Sequence, residues 1–329
     1  MRTVIIMIAA LLLGACGTSS SCKTNPEIDQ QTVSIPVHRL ERELFQLSSA
    51  EEIEKLLAEN PSFASYFLHA SEYPHDSILA QKLHGIITNE AIDTLYREAQ
   101  LAFEDLSPIT EDLETLFGKM QSLFPGTGTP RLVTAVTGLY NDLFISDSLI
   151  IVGIDFFIGD GATFKPQNTP EYMLRRYDKE HLPAIIAKFM AGQKIQNGQK
   201  STLLSEMIDF GKTYYLASRL LPCTADSLLL GYTPQEMTLI QENESVIWAN
   251  FVENEILYET SHVTKRRFLG ERPNVYEISQ KCPGRIGAWV GWRIVEQYME
   301  RTNATIKELI AERDNEKIFM QSGYKPLSR

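Results

Sequence analysis

The chain has 329 residues, 43% of them hydrophobic and 22% charged, with a formal net charge of −11. That is an ordinary globular composition, long enough for one large or two small domains around a sizeable core. The acidic balance argues against broad nucleic-acid contact, and no segment reaches the ~18 uninterrupted apolar residues of a membrane span.

Arg2 followed by the apolar run Val4 to Leu13 reads as an export signal, too short to cross a bilayer, and it ends in Leu13-Gly14-Ala15-Cys16. Small residues before a cysteine suit a lipoprotein signal peptidase, which admits only small side chains beside the thiol that carries diacylglycerol. Residues 1–15 are therefore expected to be a signal peptide, and Cys16 the lipidated residue. Each buried CH₂ contributes about 0.8 kcal/mol, so two or more acyl chains hold a protein stably without a transmembrane helix. Loss of Arg2 with the signal takes the net charge to −12. Residues 16–35, opening with Gly17-Thr18-Ser19-Ser20-Ser21, are expected to be a flexible tether. No acidic cluster follows Cys16, which favours a domain facing the periplasm. Residues 36–329 are expected to form a single α+β domain in which helices predominate.

Within that domain, Asp76 to Phe103 carries apolar residues at helical spacing, and Asp112 to Leu123 repeats the pattern until Pro125-Gly126 stops it. Arg131 to Thr137 and Leu149 to Ile154 are the strand candidates. They flank Asn141-Asp142, a turn signal, and predict a small antiparallel pair. Helices are predicted again at Pro170 to Tyr177, His181 to Ala191, Leu203 to Leu221, Pro234 to Val252, Gly284 to Arg301 and Ile306 to Asp314. Cys22, Cys223 and Cys282 remain beside Cys16. Their spacing leaves open both a Cys223–Cys282 disulfide and three unpaired thiols.

A zinc protease needs two histidines one helical turn apart, with a glutamate beside the first. No two of His38, His69, His75, His84, His181 and His262 are four residues apart. A G-x-S-x-G elbow, a P-loop and a G-x-G-x-x-G are equally missing, so neither catalysis nor a metal or other cofactor beyond the lipid is expected. Four clusters stand out instead. Asp155 closes an apolar run and needs a partner if buried, for which Arg175 and Arg176 are candidates. Gly211 inside a helix implies close approach of another backbone, while Lys212 beside it is expected to snorkel to water. Glu244 lies one turn from Trp248, at the edge of an aromatic patch that includes Trp289 and Trp292. In Pro283 to Val295, Gly287 and Gly291 share a helix face. Arg285 and Arg293 are expected there to line a cavity or to pair with Glu244 and Asp155.

Taken in order, these clusters resemble the GldB family of gliding-motility lipoproteins of Bacteroidetes. The features that carry the resemblance are Gly153-Ile154-Asp155 with Gly159, Pro170-x-Tyr172 with Arg175 or Arg176, and Gly211-Lys212. Further along come Leu221-Pro222, Gly231-Tyr232-Thr233, Asn243-Glu244 with Trp248, Pro283 to Val295 with Tyr298-Met299, and Ser322-Gly323-Tyr324-Lys325-Pro326. The resemblance implies a part in the envelope machinery of gliding and type IX secretion. It also implies a degenerate zincin-like domain, with Gly211-Lys212-x-x-Tyr215 in the place of H-E-x-x-H and Glu244 where a third ligand would stand. Glycine and tyrosine cannot replace two imidazoles, nor lysine the carboxylate that polarises water. The expected role is a non-catalytic, membrane-anchored binding or scaffold component with an envelope protein as partner and no nucleic acid. Its cleft candidates are Asp155, Arg175, Arg176, Lys212, Tyr215, Glu244, Trp248, Arg285 and Arg293. The alternative is a periplasmic hydrolase with a non-standard site.

Cys16→Ala is expected to abolish incorporation of labelled fatty acid into the protein in cells. Labelling that persists in the variant would remove Cys16 as the anchor.

Overall fold

The computed structural model describes Cys22 and residues 28–326, so the expected signal peptide, Cys16 and residues 17–21 lie outside the described residues. A short strand, β1 (Val37–Arg39), runs into α1 (Leu40–Leu44), α2 (Ala50–Glu59) and a π-helical turn at Phe63–Phe67. Next come α3 (Asp76–Ile87), α4 (Glu90–Ala102) and α5 (Ser107–Leu123), then β2 (Arg131–Ala135), β3 (Leu143–Ile145) and β4 (Leu149–Gly153). The remainder is helical: α6 (Glu171–Leu174), α7 (His181–Gly192), α8 (Leu203–Leu220), α9 (Asp226–Leu230) and α10 (Pro234–Glu242). It continues through α11 (Glu244–Glu253), α12 (His262–Leu269), α13 (Ile286–Thr302), α14 (Ile306–Ala311) and α15 (Asn315–Ser322). The class is the expected one, α+β with helices predominating. Two of the long predicted helices are each broken by an asparagine: Asn89, whose side chain accepts from the Ala91 N–H, and Asn243, between α10 and α11.

The sheet corrects the expected strand pairing. Its order is β1-β2-β4-β3, and β2 and β4 run parallel, with Leu132 opposite Ile150 and Thr134 opposite Val152. The antiparallel partner of β4 is β3, joined to it through Ser146 to Ser148. Asn141-Asp142 lies instead in the crossover from β2 to β3, which passes over the carboxyl end of β4. The all-apolar run Leu149 to Val152 was the relevant signal. A strand buried on both faces reads as continuous hydrophobics, whereas a hairpin on the surface alternates.

Alternation does decide which core each strand residue joins. Leu132, Ile150 and Val152 face a large core built by α5, α7, α8 and α13. Val133, Ala135, Leu149 and Ile151 face a smaller one built by α1, α2, α3 and the π turn. At the centre of the large core α8 crosses α13, and at the crossing a Cβ on Gly211 would collide with the Gly291 carbonyl, and one on Gly291 with the Met207 carbonyl. The close backbone approach expected of Gly211 is thus present, and Gly291 is its counterpart.

The end of the expected tether needs correction, and the cysteine pairing that the spacing left open is neither of the two alternatives. Ile28 and Ile35 are buried, and the Gln31 N–H donates to the Gly118 carbonyl of α5, so the chain is laid on the domain well before residue 36. Cys223 bonds to Cys22, not to Cys282. Cys223 is exposed in the loop after α8, whereas Cys282 is buried at the base of α13, where burial pushes its thiol up to about 12. The bridge spans 201 residues of sequence; in a chain-entropy account, closing a loop of that size stabilises by about 5 kcal/mol.

Gly291→Ala is expected to lower stability by about 3 kcal/mol or more, because backbone on the facing helix cannot rotate away. Gly85→Ala, on the exposed face of α3 with nothing near its Cβ position, is expected to gain up to about 1 kcal/mol. Urea unfolding of both variants checks this; a Gly291→Ala midpoint equal to the parent's would refute the crossing.

Candidate functional site

Arg293 projects from the middle of α13. Its Nε donates to Glu244 Oε1 at 3.0 Å and its Nη1 to Glu296. The Tyr324 hydroxyl donates to the same Glu244 oxygen at 2.8 Å, and the Tyr324 ring meets Trp248 edge-on at 5.1 Å. Three sequence-distant pieces, α11, α13 and the tail beyond α15, are thereby clasped together. Burial works against the charge on Arg293, but Glu296 and Glu244 more than offset it and hold its pKa above the usual value. Burial, and then the Glu244 charge, raise the Tyr324 pKa, so its hydroxyl remains a donor.

The clasp forms one wall of a cleft of about 430 Å³. Its rim carries Asp226, Glu242, Glu244 and Glu296 against Arg293, over a floor of Trp289 and Trp292. Both indoles are only 2% exposed, so they present no open ring face on which a sugar would stack. The pairing expected between Arg293 and Glu244 is present.

Arg285, eight residues earlier and at φ 61°, serves a different cluster. Its Nε lies 3.2 Å from Glu271 Oε1, its Nη1 donates to the Tyr214 hydroxyl at 3.1 Å, and its Nη2 donates to the Leu230 carbonyl. Arg176 grips both oxygens of Glu271, at 2.8 and 3.0 Å, and Arg175 pairs with Glu236 at 2.9 Å. Lys188 is half-buried nearby, its ammonium 5.9 Å from the Tyr214 ring centre. Burial, and then the two guanidiniums, press its pKa down to about 7. Tyr214 in turn stacks on Trp292, joining this cluster to the floor of the cleft.

These pairings correct the partners expected for Asp155. None of Arg175, Arg176, Arg285 and Arg293 is its partner. Asp155 is 1% exposed beneath the crossover loop, where Oδ2 accepts the N–H groups of Thr137 at 3.1 Å and Leu139 at 2.8 Å. Gly138 and Leu139 both adopt positive φ there, so the carboxylate props a backbone conformation that most residues disfavour. Its Oδ1 has no hydrogen-bond partner. Burial outweighs the amides and raises its pKa to about 6.

Lys212 does not reach water. It is fully buried and donates to the Glu312 carbonyl at 2.6 Å, at the end of α14, with Asp209 at 3.6 Å. A cation at a helix C-terminus is well placed, although burial depresses its pKa. Asp209 also accepts from Gly198 N–H and Asn315 Nδ2, locking the loop before α8 to the C-terminal helices. Tyr215 points elsewhere, its ring 4.7 Å from the Arg219 guanidinium. Gly211, Lys212 and Tyr215 therefore do not converge on a shared site. Among the described residues, no group of three or more His, Cys, Asp and Glu side chains is placed to hold a metal ion.

Sequence reasoning missed Lys188, Tyr214, Glu236, Glu271, Glu296 and Tyr324. The hydrogen-bond partners of Glu236, Tyr214, Tyr324 and Glu271 lie 61 to 95 residues away, whereas Glu296 pairs with Arg293 three residues earlier on the same helix.

A family model described as gliding motility protein GldB matches residues 21–326. The chain belongs to the GldB family. No curated protein and no solved structure matches it. Membership makes it a gliding-motility-related lipoprotein of the cell envelope, and the matched span covers every cluster described above. Among the described residues of this GldB-family chain, no helix is long and apolar enough to cross a membrane.

The raised pKa of Asp155 has a consequence for stability. Native protein holds this proton more tightly than the unfolded chain, whose carboxyl titrates near 3.8. Its contribution is full below about pH 4 and lost as pH rises through about 6. The stability of the parent relative to Asp155→Asn is therefore expected to fall by on the order of 2 kcal/mol between those pH values. Urea midpoints across pH 4–8 check this, and parallel curves for the two proteins would contradict it.

Proposed function

We propose that this GldB-family lipoprotein is a non-catalytic binding component of the gliding or type IX secretion machinery, which holds a basic segment of an envelope protein in its acidic cleft. The carrying observation is the cleft itself, where four carboxylates face one arginine on walls clasped by Arg293, Glu244 and Tyr324. A preformed rim of one dominant sign speeds encounter with the opposite charge and rejects like-charged partners. Rigid walls lower the ordering cost of binding. The charged side chains of the clusters support the same reading. Asp155 is engaged by backbone amides, Lys212 by a helix end, and Arg175, Arg176, Arg285 and Arg293 by carboxylates. Groups held this way maintain a scaffold, whereas general acid–base work needs a group free to exchange its proton with a substrate.

The test places positive charge at two exposed rim positions, by Thr238→Lys and by the charge reversal Glu242→Lys. Recovery of cross-linked envelope partners from cells is expected to fall about tenfold, the equivalent of 1.4 kcal/mol, with an unchanged melting temperature. Undiminished recovery would refute the cleft as the binding surface. Stoichiometric zinc, or hydrolase activity in the purified protein, would refute the non-catalytic assignment.

A further inference from the structure

The disulfide lies close in sequence to the anchor. Cys22 follows Cys16 by six residues, a span of at most about 21 Å even when fully extended. Among the described residues after Cys22, the first packed into the domain is Ile28, twelve residues from Cys16 with a reach of about 42 Å. The bridge therefore halves the distance the folded part can stand from its lipid. It also selects the point of attachment, because Cys223 sits in the exposed turn between α8 and α9.

From these constraints, and resting on the lipid anchor at Cys16, we infer that the Cys22–Cys223 disulfide orients the domain on the membrane, turning the α8–α9 turn and the first turns of α5 and α7 toward the bilayer. Those three segments meet around a cleft of about 470 Å³ that contains Cys223. Its lining mixes apolar Ile109 and Leu228 with charged Asp105, Asp112, Lys179 and Glu180. That many charges are costly to sink into hydrocarbon, so the surface rests against headgroups and does not insert. Asp226 on the acidic rim is only three residues from Cys223, within about 11 Å of chain. The orientation therefore presents the partner cleft beside the bilayer as well, where a basic segment flanking a membrane anchor would lie.

The experiment uses the full-length mature lipoprotein in zwitterionic phosphatidylcholine–phosphatidylethanolamine vesicles, which do not repel the three carboxylates of this surface, doped with a headgroup diazirine lipid, with labelled peptides mapped by mass spectrometry. Labelling is expected to concentrate in residues 104–112, 179–183 and 221–228, relative to α2 and α3 across the sheet. In the Cys22→Ser/Cys223→Ser double variant that ratio should drop about threefold, as local concentration falls with the −3/2 power of a doubled tether. A second variant guards against misfolding: six Gly-Ser residues inserted between Ser21 and Cys22 keep the disulfide, lengthen the tether and should lower the ratio similarly. Even labelling of both faces in the parent, or a ratio unchanged in the insertion variant, overturns the orientation while leaving the anchor intact. An N-terminal peptide mass without lipid on Cys16 overturns both.

Discussion

Two glycines set the geometry of the large core. At Gly211 and Gly291 the helices α8 and α13 touch main chain to main chain, and no side chain separates them. That contact sets the depth of both helices, and the rest of the large core is arranged around them. Trp289 and Trp292 sink to 2% exposure, Lys212 reaches the carbonyl end of α14, and Arg285 at the start of α13 and Arg293 in its middle serve separate clusters.

Those arginines show why burying charge here brings order more than stability. Removing a guanidinium or a carboxylate from water costs several kcal/mol, and an ion pair repays that only with good geometry and further hydrogen bonds. Glu271 between Arg176 and Arg285, and Glu244 between Arg293 and Tyr324, lie partly exposed at the edge of the core, where that cost is smaller. Each pairing joins elements far apart in the chain. A shifted register would leave an unpaired charge, so these networks penalise misassembly strongly. Asp155 acts in the same manner at the sheet. It satisfies amides of a crossover loop forced into positive φ, at the cost of a carboxylate with a raised pKa.

Function follows from this rigidity joined to location. The chain is a cell-envelope lipoprotein of the GldB family, and in the proposed reading the Cys22–Cys223 bridge shortens the leash to a lipid on Cys16. The acidic cleft is a surface fixed in shape and in charge, suited to recognition of a segment that is itself confined near the bilayer.

Features with a short physical range were legible in the sequence. Periodicity marked most of the later helices, small residues marked the α8–α13 contact, Glu244 and Trp248 one turn apart marked the aromatic edge, and the ordered clusters carried the family resemblance. Strand pairing was not legible, because an apolar run such as Leu149 to Val152 is consistent with either partner direction until the crossover loop is placed. Nor were most of the charge partners, since Glu236, Glu271 and Tyr324 acquire their roles only when segments dozens of residues apart meet. The same holds for Cys22 and Cys223. A thiol 201 residues away is chosen by where the folded backbone brings it, and sequence spacing contains no such distance.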